Sequence, residues 1–173
     1  LFRTHGITRD EDIMTDNEGD WYYQQLDLGY NYRITDIQCA LGISQMNRLD
    51  EFVAKRRTLA QRYNQAFQNV SDIMIPEQEE GCHNSYHLYV IQIVKKNRKE
   101  VFDKLRAAGI GVNVHYIPVY KHPYYQNHGY DEVCCKTAEE FYARAVSLPL
   151  YPDLTYEQQD YVIEQVLRVI QEG

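Results

Sequence analysis

Apolar residues recur at a helical period over residues 34–70, which is the strongest secondary-structure signal in the chain. Thr35 followed by Gln38 predicts a capping box at the start of this stretch. The stretch is longer than one ordinary globular helix, and Asn47 and Asp50 are residue types that favour helix caps. The pattern therefore predicts two consecutive helices, and the break between them is a candidate domain boundary.

Strand and helix patterns alternate through the rest of the chain. Residues 86–94 are rich in β-branched and aromatic side chains and predict a buried strand, while residues 110–114 alternate between apolar and polar and predict a second. Asn97 and Glu100 predict the start of an intervening helix that ends at Gly109. The later predicted elements are an aromatic loop over 118–130, a helix around 138–145, a short strand over 147–150 and a final helix after Thr155.

The fold class follows from the order of these elements. The first 25 residues are polar and aperiodic, and we expect them to form a surface loop. The strands and helices after them predict an α/β chain in which helices are layered on a sheet in the α+β manner.

Composition places the chain among folded globular proteins and narrows its partners. Hydrophobic residues make up 44% of the 173 residues and charged residues 25%, which excludes disordered and collagen-like classes. A formal net charge of -7 without a basic stripe argues against nucleic acid as a partner. No apolar run reaches the ~18–20 residues that span a bilayer, and four irregularly spaced cysteines predict reduced thiols. We therefore expect a cytoplasmic protein without a membrane partner.

Two groups of histidine and cysteine residues are candidates for a metal site. Neither has the spacing of a zinc motif, and a four-residue spacing at the start of a strand does not form a compact ligand set. We therefore predict no metal site and expect these histidines to have structural roles. The groups are Cys82, His83 and His87, and His122, His128, Cys134 and Cys135.

Two other stretches carry groups suited to an anionic or polar ligand. Gly29 leads a turn before a predicted helix, and Asn31 and Arg33 add an amide and a guanidinium, which are the parts of an anion site. A structural turn anchored by Tyr30 and its neighbouring tyrosine explains the same residues equally well. His115 ends a predicted strand, where α/β proteins often place ligand contacts, and a structural histidine is the alternative.

Four phrases of the sequence are distinctive: FRTHGI, LGYNYRITDIQCALGISQMNRLDEFVAKRR, RAAGIGVNVHYIPVY and SLPLYPDLT. Together they resemble the DegT/DnrJ/EryC1/StrS family of pyridoxal 5'-phosphate (PLP)-dependent sugar aminotransferases, over nearly the whole chain. The resemblance implies an enzyme of fold-type I, similar to aspartate aminotransferase. It also implies a homodimer in which each active site is built from both subunits.

The resemblance implies that residues 1–50 are the C-terminal end of the PLP-binding large domain and residues 51–173 the small C-terminal α/β domain. Family members carry the Schiff-base lysine shortly before the phrase similar to FRTHGI. None of the seven lysines of this chain has a predicted setting that would lower its pKa for that role. The chain is therefore interpreted as the C-terminal portion of a longer enzyme, and this portion contains no catalytic residue. Alone, it is expected neither to retain PLP nor to transaminate.

The resemblance also assigns roles to individual positions. Asn31 is implied to reach the PLP phosphate of the partner subunit, and Arg33 to add positive charge near the cofactor or the sugar phosphates. His115 and Tyr30 are implied to line the substrate pocket. Many family members have a second histidine where this sequence has Tyr120, so that position departs from the family pattern.

The reaction implied by the resemblance is the transfer of an amino group from glutamate to a UDP-linked keto-sugar, a 4-keto-6-deoxy-hexosamine. A PLP-dependent sugar dehydratase of the same family, with histidine in place of the lysine, is a second hypothesis that these residues do not exclude. The third is a stand-alone, non-catalytic domain that binds a nucleotide sugar or pairs with a full-length subunit.

Overall fold

The computed structural model describes residues 1–172. The chain divides between residues 48 and 49 into two units, which we call unit 1 and unit 2. The division falls between helix α1 (Asp36–Met46) and helix α2 (Leu49–Phe67), so the predicted break in the long helical stretch is confirmed. The identity of each unit as a large-domain segment or a small domain remains a prediction.

Unit 1 contains α1 and two short antiparallel strands, β1 (Ile7–Thr8) and β2 (Gln24–Gln25). The prediction of a loop over the first 25 residues is wrong for these strands, because two-residue ladders form through backbone hydrogen bonds and need no apolar alternation. The capping box of α1 is confirmed, since Thr35 Oγ1 accepts from the Gln38 N–H and Gln38 Oε1 accepts from the Thr35 N–H at 2.9 Å.

Helix α1 buries none of its side chains within residues 1–172. Ile37 is 84% exposed and Ile43 is 66% exposed, although both are apolar. Large exposed apolar side chains concentrated on one helix are characteristic of a surface that another protein segment covers.

Unit 2 is built on a three-stranded antiparallel sheet in the order β3 (Ile73–Met74), β4 (Tyr89–Ile93) and β5 (Ala145–Leu148). Its core lies between this sheet and the helices, and includes Tyr63, Phe67, Tyr89, Ile91, Leu105 and Val166. The helices after α2 are α3 (Arg98–Ala107), a single turn α4 (Pro123–Tyr125), α5 (Lys136–Arg144) and α6 (Tyr156–Gln171).

The predicted strand over 110–114 is wrong. This segment makes only an isolated bridge between Asn113 and Ser147, while Ile110 and Val112 are buried in the core. The apolar alternation reflects this burial, because two alternate side chains can enter a core without a strand ladder. Strand β4 is also shorter than predicted, because Tyr86 has a φ of 49°, a left-handed conformation that does not occur in a regular strand.

The N-terminus of helix α6 tests how much a local capping interaction contributes to the stability of this fold. Thr155 caps it, with Oγ1 accepting from the Gln158 N–H at 3.2 Å and Gln158 Oε1 accepting from the Thr155 N–H at 3.1 Å. We expect Thr155→Ala to lower the free energy of unfolding by about 1 kcal/mol, because one helix N–H loses its partner. Urea unfolding followed by circular dichroism measures this change. Thr155→Ser keeps the hydroxyl and should leave stability nearly unchanged.

Candidate functional site

The FRTHGI and GYNYR phrases lie side by side in unit 1. The Tyr30 N–H donates to Phe2 O at 2.7 Å, the His5 N–H donates to Tyr30 O at 2.8 Å, and Thr4 forms a bridge with Asn31. Backbone pairing thus joins two segments that are about 25 residues apart in the sequence. Sequence reasoning identified both phrases but gave no reason for them to be in contact.

Glycine is required where these two segments cross. Gly6 has a φ of +72°, and a Cβ built there would lie 1.9 Å from Asp27 O. A Cβ on Gly29 would lie 2.2 Å from the Gly6 nitrogen. Because these obstacles are backbone atoms that cannot move aside cheaply, a side chain at either position would force the segments apart.

Asn31 and Arg33 follow this crossing, and the N-cap of α1 is two residues further on. Both side chains are exposed, and neither makes a hydrogen bond or ion pair with any part of residues 1–172. An amide and a guanidinium with free N–H donors, next to a helix N-terminus, fit the donor set that a phosphate group needs. The predicted cofactor-binding residues are therefore close in sequence and available to an anion.

Tyr30, the predicted substrate contact in the same stretch, is 63% exposed. Its ring stacks on that of Tyr32 with centroids 5.0 Å apart. The stacked pair supports the structural interpretation of this turn, and it also leaves one aromatic face open to solvent.

His115, the predicted substrate-pocket residue of unit 2, uses both ring nitrogens. Nδ1 lies 2.7 Å from Ser147 Oγ, and Nε2 lies 3.2 Å from Asn113 Nδ2. Because the amide nitrogen of Asn113 can only donate, Nε2 is the acceptor and the hydrogen-bond network assigns the proton to Nδ1. A substrate hydroxyl could reach Nε2 in place of the exposed Asn113 amide, whereas the bond to buried Ser147 fixes the ring.

Tyr120 and Lys121 meet Glu139 of α5 in a cluster that sequence reasoning missed. Tyr120 Oη donates to Glu139 Oε1 at 3.1 Å, and Lys121 Nζ donates to Glu139 Oε2 at 2.6 Å. The hydrogen bond that Lys121 donates to Glu139 lowers the pKa of Glu139 and raises the pKa of Lys121. The nearby Glu139 carboxylate also raises the pKa of the Cys134 thiol. A separation of 18 or 19 residues gives no periodic signal in a single sequence.

Each of the seven lysines contacts a carboxylate, a hydroxyl or a backbone carbonyl within the described residues. Lys96, for example, donates to the carbonyls of Val169 and Glu172. None is enclosed by apolar side chains alone, which is the setting that would make a lysine nucleophilic at neutral pH. The others are Lys55, Lys95, Lys99, Lys104, Lys121 and Lys136, each paired with an acidic side chain.

Residues 1–172 contain no group of three or more His, Cys, Asp or Glu side chains that could hold a metal ion. The two histidine and cysteine groups of the sequence therefore do not assemble into a ligand set in this part of the chain. No helix among the described residues is long and apolar enough to cross a membrane.

The fold defines the class of protein. The structure matches Helicobacter pylori PseC, an aminotransferase involved in the biosynthesis of pseudoaminic acid, with a TM-score of 0.86 and 28% identity; the match covers 100% of this chain and 45% of that one. Similar solved structures include the sugar aminotransferase Spr1654 of Streptococcus pneumoniae in its PLP and PMP forms. The profile of the DegT/DnrJ/EryC1/StrS aminotransferase family matches residues 1–167, and the chain belongs to this family.

Curated relatives give the same result. The spore coat polysaccharide biosynthesis protein SpsC of Bacillus subtilis is 37% identical over 172 residues, which are 96% of this chain and 44% of the relative. The UDP-4-amino-4,6-dideoxy-N-acetyl-beta-L-altrosamine transaminase of Campylobacter jejuni is 31% identical over 174 residues, which are 99% of this chain and 44% of that relative. The chain thus spans less than half the length of these relatives.

Proposed function

We propose that this chain is the C-terminal part of a PLP-dependent aminotransferase that moves an amino group from glutamate to a UDP-linked 4-keto-6-deoxy-hexosamine. In this proposal residues 1–50 end the PLP-binding large domain and residues 51–173 form the small domain. The product would enter surface-polysaccharide or flagellin-sugar biosynthesis, and the name of the Campylobacter jejuni relative supports a substrate of this class.

One observation carries the proposal. The backbone pairing between residues 2–6 and 29–32 leaves the side chains of Asn31 and Arg33 exposed and without hydrogen-bond or ion-pair partners inside residues 1–172. Free donors beside a helix N-terminus suit the phosphate of PLP or of a nucleotide sugar. In the proposed enzyme Asn31 holds the cofactor phosphate, and Arg33 supplies positive charge to the cofactor or to the sugar diphosphate.

The remaining chemistry would come from outside this chain. PLP, when bound, supplies the electron sink that makes proton removal from the amino donor feasible. The residues of this chain bind and orient, and His115, held by Ser147, offers Nε2 to a substrate hydroxyl. No lysine here has the setting of the Schiff-base residue, so we place that residue upstream.

A homodimer with shared active sites is part of the proposal. The apolar face of α1, with Ile37 84% and Leu41 63% exposed, supports it because such surface is normally covered in the functional assembly. Because Asn31 and Arg33 lie just before α1 in the sequence, a partner covering this helix would bring its own groups near them.

The test compares this chain with the complete polypeptide. We expect the complete polypeptide to retain PLP through dialysis and to convert a UDP-linked 4-keto-6-deoxy sugar to the amino sugar at the expense of glutamate. The chain alone should retain no PLP and transfer no amino group, because it lacks the covalent attachment point. Absorbance of the bound cofactor and mass spectrometry of the sugar measure both properties.

Each other outcome has a definite meaning. Loss of water from the sugar without amino transfer would support the dehydratase hypothesis in place of the aminotransferase hypothesis. Cofactor absorbance on the chain alone that survives dialysis and is lost on borohydride treatment would show that attachment does not need an upstream lysine. Binding of a UDP-sugar with no reaction in the complete polypeptide would favour a non-catalytic binding protein.

A further inference from the structure

Residues 115–121, which we call the strap, are tied at their first residue to strand β5. His115 Nδ1 lies 2.7 Å from Ser147 Oγ, and the backbones of Ser147 and Asn113 are joined by two N–H···O bonds of 2.8 and 3.2 Å. Ser147 is 4% exposed, so this anchor belongs to the rigid interior of unit 2.

The other end of the strap is tied to helix α5. Glu139 accepts from Tyr120 Oη with one carboxylate oxygen and from Lys121 Nζ with the other. Tyr120 Oη in turn accepts from the Cys135 N–H at 3.2 Å, next to the start of α5. Glu139 and the two strap residues are only partly exposed, so solvent screens these bonds less than it would on an open surface.

Both anchors therefore come from one continuous piece of structure. Helix α5 ends at Arg144 and β5 begins at Ala145, so Glu139 and Ser147 are separated by a fixed span of regular backbone. Between the anchors the strap is open to solvent, with Tyr116 70% and Val119 57% exposed. A segment fixed at both ends and exposed in the middle is pre-organised to contact a ligand at low entropic cost.

We propose that Glu139 is a positioning residue that holds the strap in the conformation that binds the nucleotide-sugar substrate. This inference rests on the proposed function, because that function makes the sugar nucleotide the ligand of His115. Glu139 touches neither substrate nor cofactor in this proposal. It sets the position of Tyr116 and of the His115 ring through the ends of the strap.

The chain offers a matched control for Glu139. Glu140 is the next residue of the same helix, is exposed, and makes only a 3.9 Å ion pair with Lys136. Glu139→Ala and Glu140→Ala therefore change helix composition equally, but only the first releases the strap. Glu139→Gln keeps an acceptor for Tyr120 and loses the charge pair with Lys121.

In the complete enzyme, we expect Glu139→Ala to raise KM for the UDP-sugar about 10-fold or more, since small misplacements of a binding group are costly. KM for glutamate and the PLP content should stay unchanged. Glu139→Gln should give a smaller increase, and Glu140→Ala none. A lower melting temperature with equal KM values for Glu139→Ala and wild type would overturn the positioning role, because it would be purely structural.

The affinity of the complete enzyme for UDP-N-acetylglucosamine, measured by calorimetry, tests this inference separately from the proposed function. The positioning role of Glu139 predicts about 10-fold weaker binding by Glu139→Ala than by wild type or Glu140→Ala, and equal affinities overturn it. If wild type binds this probe but transfers no amino group, the proposed function fails and the comparison of affinities still decides the role of Glu139. If wild type does not bind the probe, the inference is overturned as well.

Discussion

Replacing Tyr63 with alanine should lower the free energy of unfolding by about 3–5 kcal/mol, the range for truncating a large buried aromatic residue. Tyr63 is 0% exposed, stacks on Phe67 with ring centroids 5.9 Å apart and lies 4.8 Å from the Tyr89 ring. Its hydroxyl donates to Pro149 O at 2.9 Å, and burial raises its pKa. Because small domains are stable by only about 5–15 kcal/mol, this single change would remove a large share of the stability of unit 2.

Two control variants divide this effect into its causes. Tyr63→Phe keeps the ring and removes only the hydrogen bond, so we expect a loss of about 1 kcal/mol. Tyr161→Ala also removes a tyrosine that donates to a backbone carbonyl, Ala108 O, but that side chain is 47% exposed and should cost much less than Tyr63→Ala. Urea unfolding followed by circular dichroism measures all three. Equal losses for Tyr63→Ala and Tyr161→Ala would show that the ring cluster does not hold the core together.

Except for the single turn α4, which lies where the sequence predicted only an aromatic loop over 118–130, the helices could be predicted because their signals are local. Thr35 with Gln38, and Thr155 with Gln158, form complete capping boxes in the structure, and Asn97 accepts from the Lys99 and Glu100 N–H groups. In each case the residues that decide the helix start are within four positions of one another. Periodicity then places the apolar face, so no information from the rest of the chain is needed.

The short strands could not be predicted in the same way. Strand β3 has two residues and exists only because Ile73 pairs with Ile93 of β4. The alternation over 110–114 suggested a strand, but only Asn113 pairs, with Ser147, which is 34 residues further along the chain. Pairing partners of this kind are set by tertiary packing, and apolar alternation in one segment does not identify them.

The residues of the candidate site also differ in whether their signals are local in the sequence. Asn31 and Arg33 lie in one five-residue stretch, so their donor chemistry is visible in the sequence. Ser147 and Glu139 act on His115 and Tyr120 across 32 and 19 residues, and neither residue type suggests a partner in advance. The first set of roles could therefore be proposed from the sequence, while the two anchors of the strap could be found only in the structure.

In the complete enzyme, Asn31→Ala should weaken PLP retention by about 1.5–3 kcal/mol, the contribution of a hydrogen bond to a charged group. This corresponds to a Kd that is about 10- to 150-fold higher. Asn47→Ala is the matched control, because Asn47 is also an exposed asparagine of unit 1. It forms hydrogen bonds only through its backbone, at the C-cap of α1. Equilibrium dialysis of the cofactor measures PLP retention by both variants. Equal retention would show that Asn31 has only a structural role in the backbone turn that contains it.

Mixing subunits tests whether Asn31 acts on the partner's cofactor. A subunit carrying Asn31→Ala keeps the proposed upstream lysine, and a second subunit in which that lysine is replaced keeps Asn31. If the two groups meet across the dimer, random mixing should restore about one quarter of the wild-type active sites, since half of the dimers are mixed and each contains one intact site. If both groups act within one subunit, no mixed dimer contains an intact site and activity should not recover. Recovery above the residual activity of the Asn31→Ala dimers would therefore locate Asn31 in the shared active site.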